Sequence, residues 1–346
     1  MAYTDIDRSS DYFNTKLYSG TNTPQSITGV GFQPDWTWIK VRNVADNHYI
    51  YDSVRGATKF VHSDLTSAEG TLTNGLTSFD SDGFSLGDSG STNNASNTFA
   101  SWNWLAGGTA SSNTDGSITS NVSANTTSGF SIVSYTGTGS NATVGHGLSA
   151  VPKMIIVKNR TDSASWFVYH GSLGTPVNEY LLLDSTNAVG SNSGTWNSNP
   201  TSSVFGLGST FGALNGSSKN YIAYCFAEKK GFSKFGSYTG NGSTDGTFVY
   251  TGFKPAWVMF RSTSSLREWC IIDTVRQPNN PNTLEYPAAN SSNAESTGGF
   301  DKDFLSNGFK LRSATNNFNN SGETYIYMAF ASNPFVTSTG VPTTAR

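Results

Sequence analysis

The chain has 346 residues, with 21 Lys and Arg against 24 Asp and Glu and a formal net charge of −3. Without a basic surplus it has little with which to neutralise phosphates, which argues against nucleic acid or an anionic membrane as partner. Only 13% of residues are charged, whereas 124 are Ser, Thr or Asn, 36 are Gly and 13% are aromatic. Such a chain is too aromatic for disorder and favours β-structure with many turns, its surface wetted by hydroxyls and amides.

In chain order, the first ten residues carry Asp5, Asp7 and Arg8 and no apolar stretch, and nowhere do 18 apolar residues run together. The expectation is a soluble protein with no signal peptide and no membrane insertion. A Tyr-x-Gly turn then opens each of three related segments, at Tyr18-Ser19-Gly20, Tyr135-Thr136-Gly137 and Tyr238-Thr239-Gly240. Each turn is followed by a Gly-apolar pair and a proline, Pro34, Pro152 or Pro255, that leads into an apolar strand ending in a base. Trp36 and Trp257 occupy the same place in the first and third copies, and the strands end at Lys40, Lys158 and Arg261.

A second strand follows in every copy, at residues 49–55, 166–170 and 269–276. Gly-marked strands come next, around Gly83, Gly206 and Gly308, and closing aromatic strands at 99–105, 221–227 and 325–330. Aromatic and β-branched runs at this spacing predict an all-β protein of three tandem β-sandwich repeat units, jelly-roll or Ig-like. The units are expected at 1–106, 129–230 and 231–346. Between the first two lies 107–128, rich in Ser, Thr, Gly and Asn, expected as a linker or as a strand added to a neighbouring surface. The junction at 228–234 is shorter, which predicts that units two and three are the more rigidly joined.

In the closing strand, Tyr221, Ala223 and Cys225 fall on one face and Ile222, Tyr224 and Phe226 on the other, so both faces should be packed. The prolines are expected at strand entrances, where a missing N–H breaks no ladder bond. Cys225 and Cys270 lie in apolar runs and imply no disulfide framework.

Few residues suggest chemistry. The histidines His48, His62, His146 and His170 show no zinc spacing, and no metal or cofactor is expected. Asp52 and Asp273 sit at equivalent places, each three residues before an arginine, Arg55 or Arg276, and His170 stands where the second unit would have its Asp. A repeated Asp-x-x-Arg reads as a structural ion pair, although a depolymerase would need carboxylates across a cleft and Asp52 or Asp273 are the candidates. Trp196, in the polar loop 191–200, is the candidate for an exposed platform that stacks on a host-surface glycan.

The runs Tyr49-Ile50-Tyr51-Asp52-Ser53-Val54-Arg55-Gly56-Ala57, Ser78-Phe79-Asp80-Ser81-Asp82-Gly83-Phe84 and Gly129-Phe130-Ser131-Ile132-Val133-Ser134-Tyr135-Thr136-Gly137 are similar to a family of uncharacterised virion proteins of marine bacteriophages. So is the run from Gly145-His146-Gly147-Leu148 to Lys158-Asn159-Arg160. The resemblance implies a non-enzymatic structural protein of the extracellular particle, tail-fibre-like or capsid-associated, without catalytic residues. It implies other virion proteins as partners, and the repeated units suggest a homo-oligomer, with a trimer as one candidate. Recognition of the host surface as a tail or appendage fibre or spike is the leading expectation. Capsid decoration or a connector role is the alternative, favoured by a first unit that begins almost at Met1 where a fibre would carry an anchoring domain. A carbohydrate depolymerase comes third.

Overall fold

Strands that carry large apolar residues on both faces need two packing partners, and the central strands of this architecture are of that kind. A computed structural model describes residues 3–280 and 282–343. The first stretch contains β1 (Phe13–Ser19), β2 (Gln25–Thr28), β3 (Trp36–Val41), β4 (Tyr49–Asp52), β5 (Lys59–Val61), β6 (Gly70–Thr71), β7 (Leu76–Asp80), β8 (Gly83–Leu86), α1 (Gly90–Asn93) and β9 (Thr98–Trp104). Next come β10 (Ser111–Asn113), β11 (Ser120–Asn125), β12 (Phe130–Thr136), β13 (Ala142–Gly145), β14 (Pro152–Asn159), β15 (Phe167–His170), β16 (Glu179–Leu182), β17 (Gly190–Ser191), β18 (Val204–Leu207), α2 (Gly212–Asn215) and β19 (Asn220–Ala227). The last are β20 (Ser233–Thr239), β21 (Phe248–Tyr250), β22 (Phe253–Ser262), β23 (Cys270–Asp273), β24 (Asn282–Tyr286), β25 (Ser296–Leu305), β26 (Gly308–Leu311), α3 (Asn316–Asn319) and β27 (Thr324–Pro334).

The fold is all-β, with every strand pair antiparallel, and each stretch folds as two sheets. The large sheets run β1-β9-β3-β4-β5-β6, β10-β11-β12-β19-β14-β15-β16-β17 and β20-β27-β22-β23. The smaller ones run β2-β8-β7, β13-β18 and β21-β26-β25-β24. The order opening strand, closing strand, third strand, fourth strand therefore recurs in all three large sheets.

The alternation of each strand decides which core receives which residue. On β19, Tyr221, Ala223 and Cys225 face the small sheet of their own unit, with Val144, Phe205 and Leu207. Ile222, Tyr224 and Phe226 face away, into a core shared with Trp36, Trp38, Trp102 and Trp104 of the first unit and Trp257, Met328 and Phe330 of the third. The other faces of β3 and β9 supply Ile39, Val41 and Phe99 to the first unit's private core, and those of β22 and β27 supply Val258, Phe260 and Ala329 to the third's. The units thus abut by the backs of their large sheets, and the centre of the molecule is one apolar cluster.

Residues 107–128 are not a free linker: β10 and β11 lie in this stretch and extend the second large sheet through β12, with Val122 opposite Val133. Pro34 precedes β3 and Pro152 opens β14, but Pro255 is inside β22, where the register shifts on both sides of it. There Pro255 lies opposite Ala331 while Ala256 and Ser332 are skipped, an irregular stretch of ladder of the kind in which proline is tolerated.

Trp104 is 1% exposed and its ring centroid lies 4.4 Å from Trp36, 4.8 Å from Phe13 and 5.6 Å from Trp257. Trp104→Ala should cost about 3–5 kcal/mol and lower the urea midpoint of the whole chain. Far-UV circular dichroism and tryptophan fluorescence should report one coincident transition, whereas stepwise unfolding of single units would contradict a shared core.

Candidate functional site

The side chains with chemical potential gather at the seams between units, where equivalent residues make equivalent contacts. His48, Trp166 and Trp269 each precede the fourth strand. The Trp166 indole N–H donates to the carbonyl of His62 at 2.7 Å, and that of Trp269 to Leu182 at 2.8 Å. His48 Nε2 lies 3.0 Å from the carbonyl of Ala288, and its Nδ1 accepts the indole N–H of Trp38 at 2.8 Å. That bond fixes the tautomer: Nδ1 is the acceptor, so Nε2 carries the proton and donates. The register places His62, Leu182 and Ala288 at one repeat position, since each lies beside the first residue of a fourth strand or one step from it.

The bases that end the third strands do the same work with charge. Lys40 Nζ donates to the carbonyls of Asp46 at 2.8 Å and Ser292 at 3.1 Å, and Lys158 Nζ to those of Thr66 and Ala164 at 2.8 and 2.5 Å. Arg261 reaches the carbonyl of Asn187 at 2.5 Å. Each base thus ties its unit to a loop of the preceding one around the ring. Burial pulls Lys40 and Lys158 down to about 8 and Arg261 to about 10, because a desolvated cation is disfavoured.

The Asp-x-x-Arg pairs lie in the same seams. Arg55 Nε donates to Asp52 at 2.5 Å, its NH1 lies 3.4 Å from Glu69, and Glu69 accepts from Arg160 of the next unit at 2.8 and 3.1 Å. Arg276 likewise donates to Asp273 at 2.5 Å and Glu295 at 2.9 Å, and Glu295 accepts from Arg42 at 2.9 Å. Each aspartate also takes a donor from a neighbour's closing strand, the Tyr224 hydroxyl at 2.7 Å on Asp52 and the Trp102 indole at 3.0 Å on Asp273.

The third seam, between units two and three, has none of these charges. At the corresponding positions stand His170, Leu173, Val189 and Thr263, and Met328 replaces the donor. The backbone bonds survive, with Val189 N donating to Thr263 at 2.9 Å just as Glu69 N and Glu295 N donate to Arg160 and Arg42. His170 Nε2 lies 3.2 Å from the carbonyl of Tyr327, and a cavity of about 310 Å³ beside Leu173, Val189 and Thr263 marks the space that the longer charged side chains fill elsewhere. All five positions change together, which leaves no charge stranded. The seam expected to be most rigid from its short junction is the one with the fewest side-chain ties.

These placements meet two readings of the sequence differently. Asp52 and Asp273 are 0% exposed and salt-bridged to Arg55 and Arg276, the structural ion pairs that the repeated Asp-x-x-Arg suggests. Trp196 is not a platform: it is 1% exposed, packs edge-on to Tyr169, and donates its N–H to the carbonyl of Glu179 at 3.0 Å. Its polar loop folds back so that the ring caps the second unit's private core. Sequence reading also passed over Phe248 and Tyr250, which lie exposed on β21 at either side of buried Val249. Among the described residues, no group of three or more His, Cys, Asp and Glu is placed to hold a metal ion, and no helix is long and apolar enough to cross a membrane.

Two measurements test the seams. Arg55→Leu alone should cost about 3–5 kcal/mol by stranding Asp52 and Glu69. Adding Asp52→His, Glu69→Val, Arg160→Thr and Tyr224→Met, which installs the residues of the third seam, should recover most of that loss in urea unfolding. A five-fold variant as unstable as the single one would refute the equivalence of the seams. For pH, burial lowers all four histidines, His170 to about 4, so these imidazoles stay neutral in the folded chain where those of the unfolded chain take up protons below about 6.5. This stability is full above pH 6.5 and is lost as pH falls towards 4, by up to about 1.4 kcal/mol per unit for each histidine. Asp64, raised by burial to about 6, offsets part of it by holding a proton in the folded state. His170→Gln should flatten the acid limb of the unfolding free energy, and an unchanged slope would show that His170 does not contribute to it.

No curated protein matches the chain. Residues 8–334, which include all the strands described above, match the family model described as "Domain of unknown function (DUF7483)", and the chain belongs to that family.

Proposed function

We propose that the chain is a non-enzymatic structural protein of a bacteriophage virion, carried on a tail or appendage and used to recognise the host surface. The observation that carries this reading is how the chain uses its reactive side chains. The bases that end the third strands and the Asp-Arg pairs are fasteners between units, the His48 and His170 rings reach across the seams, and the thiols are buried in private cores. A part that must hold its shape outside the cell benefits from such a closed interior, which leaves recognition to loops and outer sheet faces. The sequence resemblance to marine phage virion proteins supports the same class, and with it the virion as location and other virion proteins as partners.

A second reading, capsid decoration or a connector, draws support from the threefold repetition of contacts. One copy presents three similar units around a common centre, a shape suited to a partner with true three-fold symmetry. The chain's own units already share one core, so a homo-oligomer, with a trimer as one candidate, would pack through their outer faces in both readings.

A reconstruction of the virion at near-residue resolution tests the choice. The first reading expects density on the tail or on projecting appendages and adsorption of the purified chain to host cells. Density tiling the capsid shell would replace it with the decoration reading, and absence from the particle would overturn both.

A further inference from the structure

The three units share one plan, so the places where a single unit departs from it show where that unit has been put to separate use. The outer face of the small sheet is such a place. The register sets Phe248 opposite Lys310 and Tyr250 opposite Gly308, as it sets Ser26 opposite Ser85 and Thr28 opposite Gly83 in the first unit. In the second unit Thr143 lies opposite Gly206 and Gly145 opposite Val204. The first unit therefore presents hydroxyls and a hydrogen and the second one hydroxyl, two hydrogens and the Val204 methyls, whereas the third presents two aromatic rings and an ammonium.

The rings are open to solvent, Phe248 at 42% and Tyr250 at 58% exposed, although burying them inside the unit would stabilise it. They lie two residues apart on one face of an edge strand, roughly 7 Å along it. Polar groups flank the pair at both ends. On one side Lys310 Nζ donates to Asp245 at 2.8 Å, and the Asp245 side chain is 81% exposed. On the other side Tyr3 donates its hydroxyl to the carbonyl of Gly252 at 2.7 Å, and Lys230 holds its ammonium 4.7 Å over the Tyr3 ring. At this second end is a hollow of about 160 Å³ lined by Tyr3, Glu228, Lys230 and Tyr250.

We propose that this strip of the third unit, Lys310 and Asp245, Phe248, Tyr250, then Tyr3 and Lys230, is a binding site for an acidic oligosaccharide. Each feature has a counterpart in such a ligand. Pyranose rings carry C–H faces that stack on Phe248 and Tyr250, their hydroxyls bond the Asp245 carboxylate and the Lys310 ammonium, and a uronate carboxylate sits at Lys230, whose charge it complements. A protein partner fits less well, since two aromatic side chains of about 150–250 Å² each fall well short of the roughly 800 Å² per partner of a stable interface. The hollow is smaller than the roughly 300–1,000 Å³ of pockets that engulf a whole ligand, which suits a chain lying across the surface. The inference rests on the host-recognition reading and names its ligand class.

The first unit supplies the test variant, because Phe248→Ser with Tyr250→Thr installs side chains that the same plan already carries at Ser26 and Thr28. The full chain is titrated calorimetrically with trimers of galacturonic, glucuronic and mannuronic acid and with neutral maltotriose. At least one tri-uronate should bind more tightly than maltotriose, the double variant should weaken it at least tenfold with an unchanged urea midpoint, and Lys230→Gln should weaken the tri-uronate while leaving maltotriose as it was. Absence of binding by every tri-uronate, equal binding of maltotriose, or full binding by the double variant would overturn the site. Adsorption to host cells separates the two levels. Cells that bind the native chain and the double variant equally refute this site and leave host recognition standing, whereas cells that bind neither refute recognition itself.

Discussion

Everything in this molecule depends on aromatic packing between the backs of three β-sheets. Trp36 lies 4.6 Å from Tyr224 and 4.4 Å from Trp104, Trp104 lies 5.6 Å from Trp257, and Phe226 and Phe330 close the group at 6.1 Å. These rings come from strands whose opposite faces are already committed to private cores, so each of those strands is buried on both sides. A strand in that position has no face left for charge. The polar share of the sequence is accordingly pushed to loops and edges, and Lys40, Lys158 and Arg261 enter the interior at strand ends where backbone carbonyls receive them.

The seams show two solutions to one packing problem. Two of them use a chain of Asp, Arg, Glu and Arg side chains that crosses between units, and the third uses His, Leu, Val and Thr. Buried ion pairs add little net stability when complete and cost much when broken, so their benefit here is selectivity. Three similar units in one chain could pair in the wrong order, and a charged edge laid against Leu173 and Val189 would strand its charges.

Much of this was legible beforehand, because alternation and turn chemistry are local. The strands, the paired faces of the closing strand and the base that ends each third strand all follow from residues within ten positions of one another. What escaped depends on distant contacts. Trp196 sits in a polar loop, and nothing nearby reveals that its N–H finds the Glu179 carbonyl and its ring the face of Tyr169. Glu69 and Glu295 lie in loops without periodicity, so their role between two arginines of different units has no local signature. Residues 107–128 lack the apolar content of a strand, yet β11 forms because β12 offers it an edge. Phe248 and Tyr250 read as strand residues, and only comparison with Ser26 and Thr28 across the repeats would have marked them as unusual.

The seams join the first unit to the second, the second to the third, and the third back to the first through His48, Lys40 and Arg42. Open arrays of repeats grow and shrink by whole repeats, since every internal unit meets its neighbours in the same way and caps protect the ends. A closed circuit has no ends to cap. Duplicating a unit would leave the new copy without a place at the centre, and deleting one would expose tryptophan on both remaining flanks. The number of units is therefore fixed by geometry, and change in this protein is confined to substitutions on the outward faces and in the loops.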